Sequence, residues 1–87
     1  MKILVTEPIS EEGLDILKSY AQVDLKPQMK PEEIVAIIDD YEALIVRSQT
    51  RVSAKLIEAA KKLQVIGRAG GGVDNVNVEE ANRHGIV

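Results

Sequence analysis

Short apolar runs alternate with stretches of helical period along this chain, and that alternation restricts the fold more than any other feature. Ile3-Leu4-Val5, within Lys2–Thr6, is a continuous apolar run of the kind found in strands buried on both faces. Ala43–Val46 is another, ending abruptly at Arg47-Ser48, and Val65-Ile66 is a shorter one rich in β-branched residues. Val23–Leu25 sets Asp24 between two apolar residues and reads as a half-exposed edge strand, ended by Pro27.

The intervening stretches carry helix signals. Ser10 is a natural N-cap with Glu11 and Glu12 in the first turn, where the helix dipole favours acids. Leu14, Leu17 and Ala21, flanked by Ile16 and Tyr20, give a broad apolar stripe. Pro31 suits a first helical position, and Ile34, Ile37, Ile38 and Tyr41 follow at amphipathic spacing. Ser53 caps a third helix with Leu56, Ala60 and Leu63 inward, and Val52 with Ile57 can form a hydrophobic staple. Asn77 and Glu80 have capping-box spacing for a short helix over Val78–Arg83, with Gly85 as its stop. Ile86-Val87 reads as the start of a fifth strand.

Strands and helices in this order mean βαβ units, hence a parallel sheet with right-handed crossovers. The predicted fold is α/β: a three-layer, flavodoxin-like parallel sheet of order 2-1-3-4-5 with flanking helices. The 87 residues make one domain, and without Phe or Trp its core must be aliphatic. There is no cysteine, hence no disulfide framework or thiolate metal site. No apolar run approaches the roughly 18–20 residues that span a bilayer. The opening MKILV lacks a signal-peptide apolar region, so a cytoplasmic location is the default expectation. A net charge of −3 does not point to nucleic acid. Residues 1–50 carry a net −5 and residues 51–87 a net +2, which leaves the glycine-rich stretch in the basic part.

That stretch, Gln64–Asn75, reads QVIGRAGGGVDN. Arg68 follows the apolar run, and Gly70, Gly71 and Gly72 come after it. Glycines past a parallel strand let backbone N–H groups approach a ligand, and a nest of amides beside an arginine suits a carboxylate or phosphate. The alternative is a tight strand-to-helix turn with a solvated arginine. A parallel sheet delivers the trailing residues of every strand to one edge, so Thr6-Glu7, Lys26, Arg47-Ser48 and Arg68–Gly72 are expected along a single rim. Two arginines converging there favour the anion site.

Other chemistries fit less well. Gly70 and Gly72 match two positions of the dinucleotide fingerprint G-x-G-x-x-G, but Asn75 takes the third, and the ribose-binding acid expected about twenty residues on is not there. No Lys-Ser or Lys-Thr follows for a phosphate-binding P-loop. A phosphoacceptor receiver domain needs an aspartate after the third strand, where Arg47 stands, and an acidic pair after the first, where only Glu7 stands. A flavin site needs a Ser/Thr-rich first loop, and Glu7-Pro8-Ile9 does not supply one. His84, the sole histidine, falls in the last turn of a short helix, where imidazolium complements the dipole; no carboxylate partner is evident from the sequence.

The segments VTEPIS, ALIVRSQTRVSAKLIEAA and KLQVIGRAGGGVDNVNVEEANRHGIV together resemble the amino-terminal part of the D-isomer-specific 2-hydroxyacid dehydrogenases, and within them the phosphoglycerate dehydrogenase group. The resemblance covers essentially all 87 residues. It implies a substrate-binding domain in which Arg47 and Ser48 help hold the substrate and Arg68 adds positive charge. The amides of Gly70, Gly71 and Gly72 would bind the substrate carboxylate, with Asn75 in the same loop. The implied reaction is oxidation of 3-phosphoglycerate, or a related 2-hydroxy acid, at its C2 alcohol, with hydride passing to NAD, as in serine biosynthesis.

The family's catalytic Arg, Glu and His match no position here. Gly71 stands where the family commonly has Val or Thr, and Asn77 where it often has Asp. The chain is therefore expected to end within the fifth strand, before the NAD-binding domain. Alone it is expected to bind no cofactor or metal and to be catalytically inactive. Homodimerisation along the strand-five side is also expected, because an open strand edge invites pairing. The alternative is a non-enzymatic α/β fragment, natural or engineered, with a structural or interaction role.

Overall fold

The computed structural model of the chain describes residues 1–47, 50–68 and 76–86. Its strands are β1 (Lys2–Val5), β2 (Gln22–Leu25), β3 (Ala43–Val46) and β4 (Val65–Arg68). All pair in parallel, in the order β2-β1-β3-β4, which is the expected order for these four. The helices are α1 (Glu11–Tyr20), α2 (Pro31–Ile37), α3 (Ala54–Ala59) and α4 (Val78–Arg83), and a 3-10 turn over Ile38–Asp40 follows α2.

Alternation along the strands divides the core into two layers, one on each side of the sheet. Leu4, Leu44 and Val46 face one way and pack with Ile34, Ile38, Leu56, Ile57 and Ala81 from the helical segments of that side. Ile3, Val5 and Ala43 face the other way, against Leu17 and Ala21 of the α1 region. Helices thus lie on both faces, as the unbroken apolar runs of β1 and β3 require. No helix among the described residues is long and apolar enough to cross a membrane.

The helix starts are the local devices read in the sequence. Ser10 accepts a hydrogen bond from Gly13 N–H at 3.1 Å, and Ser53 accepts one from Leu56 N–H at 3.3 Å. Asn77 accepts from Glu80 N–H at 2.9 Å, while Pro31 opens α2 with Glu33 accepting from Lys30 N–H. Gly85 (φ 71°) ends α4: its N–H donates to Asn82 O, and Ile86 N–H donates to Ala81 O at 2.9 Å. That pair of bonds is a Schellman motif, closed by apolar packing of Ile86 near Ala81.

Two expectations need correcting. Ile86 is buried but sits in no strand, because its N–H is committed to closing α4; Val87 lies outside the described residues. The stripe on α1 is also narrower than its sequence implied. Ile16 is 56% exposed and Tyr20 86% exposed, so only Leu14, Leu17 and Ala21 turn partly inward.

Tyr41 is 3% exposed and needs a partner for its hydroxyl, which donates to Asp24 Oδ2 at 2.5 Å. Lys2 Nζ lies 5.0 Å from the ring centroid. Burial first, and then the Asp24 carboxylate, push the Tyr41 phenol up to about 12.

Candidate functional site

The strand order reverses direction between β1 and β3, since β2 lies outside β1 and β4 outside β3. The crevice beyond the carboxyl ends of such a pair is where open α/β sheets bind ligands. Here Thr6 and Glu7 leave β1, and Arg47 leaves β3. Thr6 and Glu7 are the two buried polar residues of the described chain, at 2% and 6% exposure. Thr6 N–H continues the sheet pairing to Ile45 O at 3.1 Å, and Lys26 N–H reaches Val5 O at 2.9 Å. The described trailing residues of β1, β2 and β3 therefore share one rim, as parallel pairing predicts.

Side chains then lock the two central exits together. Glu7 Oε2 accepts from Arg47 N–H at 2.5 Å and from Thr50 N–H at 3.0 Å. The Thr6 and Thr50 hydroxyls are hydrogen-bonded at 2.9 Å, and Arg47 Nη1 donates to Pro8 O at 3.3 Å. Among the described residues no group of three or more His, Cys, Asp or Glu is arranged to hold a metal ion.

Arg47 and Arg68 line the same open pocket of about 620 Å³, together with Ser10, Gly13, Ile45 and Gly67. Its floor is apolar sheet and Arg47 and Arg68 both contribute to its lining, so a small anion with a short carbon skeleton matches its chemistry. A second cavity of about 430 Å³ lies beside Glu7, lined by Thr6, Thr50, Arg51, Met29 and Ile34. Of the candidate residues, Arg47 and Arg68 both border this pocket, and Arg68, in register with Val46, also lines a smaller cavity on the other face of the sheet with Ile66, Val76 and Ala81. Ser48, Gly70, Gly71, Gly72 and Asn75 lie outside the described residues.

His84 lines neither cavity. It has a carboxylate partner that was not evident from the sequence: its Nε2 lies 2.9 Å from Glu80 Oε2, one helical turn away, and Glu80 also pairs with Arg83 at 3.1 Å. The i, i+4 spacing of Glu80 and His84 was the available signal. Glu7 and Thr50 were not read as a linked pair, because their contact spans 43 positions. The available signal was an acid placed directly after a buried strand, on the rim where the arginines collect.

The glycine stretch does not have the surroundings of a dinucleotide site. Val76 forms a parallel bridge with Val52, and α4 starts only at Val78 after its Asn77 cap. In the fingerprint the helix opens within the glycine motif itself, so that its N-terminus meets the pyrophosphate.

Comparison with known proteins gives a consistent family. The family model for the D-isomer specific 2-hydroxyacid dehydrogenase catalytic domain matches residues 3–87. A D-3-phosphoglycerate dehydrogenase of Archaeoglobus fulgidus is 51% identical over 88 residues, covering 100% of this chain and 17% of the relative. The human D-3-phosphoglycerate dehydrogenase is 47% identical over 87 residues, covering 99% of this chain and 16% of the relative. The chain thus spans about a sixth of the length of these curated relatives. Among solved structures, a Pyrococcus horikoshii protein superposes with TM-score 0.94 at 33% identity, covering 98% of this chain and 26% of that one. An NAD+-bound 3-phosphoglycerate dehydrogenase of Entamoeba histolytica superposes with TM-score 0.88 at 34% identity, covering 100% and 31%.

Proposed function

The chain belongs to the D-isomer-specific 2-hydroxyacid dehydrogenase family, and from that premise we propose that it is the substrate-binding portion of an NAD-dependent D-3-phosphoglycerate dehydrogenase. The observation that carries the proposal is that Arg47 and Arg68, from neighbouring strands, both border one open pocket between α1 and the β3–β4 edge of the sheet. Near-half identity to D-3-phosphoglycerate dehydrogenases along the whole chain supports 3-phosphoglycerate as the ligand. That molecule carries a carboxylate and a phosphate on a three-carbon skeleton. In this reading Arg47 and Arg68 supply cationic contacts, and Ser48, Gly70, Gly71, Gly72 and Asn75, outside the described residues, are the further binding residues that the family resemblance implies.

The oxidation of the C2 alcohol and the NAD site belong, in this proposal, to the rest of the enzyme. This chain binds and orients the anion, and by itself it turns over nothing. With half of the cleft supplied elsewhere, its affinity for 3-phosphoglycerate is on the order of millimolar, about 4 kcal/mol. An amide NMR titration of the chain with 3-phosphoglycerate tests the assignment. The Arg47 and Arg68 amides and those of Gly70–Gly72 shift first. Saturating shifts confined to other regions, with these unmoved, refute it.

A further inference from the structure

We propose that Glu7 is the positioning residue of this anion site, holding the backbone N–H groups of Arg47 and Thr50 and thereby fixing where the Arg47 guanidinium is presented. The proposal rests on the anion-binding reading above and goes further by naming what holds that site in shape.

A carboxylate is an unexpected neighbour for a pocket that attracts anions. Glu7 is 6% exposed and sits two residues beyond β1, beside the exit that carries Arg47. Were its charge uncompensated, it would oppose the guanidinium's attraction for an anion. Its Oε2 instead accepts from two backbone N–H groups, Arg47 at 2.5 Å and Thr50 at 3.0 Å. Hydrogen bonds to an ionised acceptor are the strong kind, and a buried carboxylate is tolerated only when bonded in this way. Both donors follow β3 in the chain, so one side chain holds Arg47 and Thr50 together.

The adjoining contacts act in the same direction. Pro8 O, next in sequence to Glu7, accepts from Arg47 Nη1 at 3.3 Å. Arg47 is therefore tied to the Glu7-Pro8 dipeptide through both its backbone N–H and its side chain. The Thr6–Thr50 hydroxyl contact at 2.9 Å holds Thr50 on the residue before Glu7. With Oε2 occupied by two donors, the geometry fits a clamp better than a proton-transfer group.

The test compares wild-type chain with Glu7→Gln and Glu7→Ala, each titrated with 3-phosphoglycerate by amide NMR, with thermal unfolding followed in parallel. Glu7→Gln keeps an acceptor oxygen but loses the charge. Its Arg47 and Thr50 amide protons move upfield and exchange faster, and its Kd rises about fivefold, the order expected for weakening a charge-assisted contact. The Arg68 amide, on another strand, still responds to saturating ligand. Glu7→Ala raises Kd further; if it fails to fold, Glu7→Gln alone decides. Glu7→Gln with unmoved Arg47 and Thr50 amides, or with moved amides and wild-type Kd, overturns the positioning role and leaves the anion site standing. Wild-type chain that binds no 3-phosphoglycerate overturns the anion site itself, and the role of Glu7 toward it.

Discussion

At the residue scale, buried polar atoms decide most of what is specific here. Tyr41 and Asp24 illustrate the energetic side. The phenol is raised to about 12, above the value near 10 that it takes in the unfolded chain. Its contribution is therefore complete below pH 10 and is lost as pH climbs through 12, amounting to roughly 2–3 kcal/mol. Urea unfolding at pH 9 and pH 11.5 checks this: the stability gap between wild type and Tyr41→Phe narrows at the higher pH. A constant gap contradicts it. His84 is the opposite case, an exposed partner of Glu80 outside both cavities. His84→Ala costs under about 0.5 kcal/mol, the order of an i, i+4 pair, and leaves the affinity for 3-phosphoglycerate unchanged.

At the scale of elements, what was legible in the sequence was local. Ser10, Ser53 and Asn77 announced three helix starts because a cap and its N–H donor are three residues apart. Gly85 announced a stop because a left-handed residue at that point favours glycine. Replacing Ser53 with Ala costs about 1 kcal/mol through the lost cap, and Gly85→Ala costs about 1–2 kcal/mol through its positive φ. Chemical denaturation measures both, and a neutral Gly85→Ala would contradict the motif. The shared rim of the β1, β2 and β3 exits was legible for a different reason, since parallel pairing alone sends every strand's trailing residues to one edge. What was not legible depended on long-range contacts or on competition between partners. The Glu7 clamp joins positions far apart in the chain. Ile86 looked like a strand because its side chain is apolar and buried, yet its N–H closes α4. The exposure of Ile16 and Tyr20 shows that a sequence stripe marks what a helix can bury, while its neighbours decide what it does bury.

At the scale of the whole molecule, the sheet is closed on one face and more open on the other. Among the described residues β4 is an edge strand, Val65 on it is 37% exposed, and Ile16 and Tyr20 lie exposed on α1. An unpaired strand edge with apolar surface nearby favours association, and identical chains usually close such a contact as a two-fold dimer. Light scattering over a hundredfold range of concentration should show mass rising from that of one 9.5 kDa chain toward twice that value. A constant single-chain mass would remove the dimer. The proposed function rests on one interaction, the binding of the anion by Arg47 and Arg68. Its most direct test is the Kd of 3-phosphoglycerate for the Arg47→Ala/Arg68→Ala double variant, measured beside wild type under conditions where unfolding curves show both folded. Losing two charge-assisted contacts of roughly 1.5 kcal/mol or more each should weaken binding by about a hundredfold, beyond the measurable range for a millimolar site. A folded double variant with wild-type affinity would contradict it.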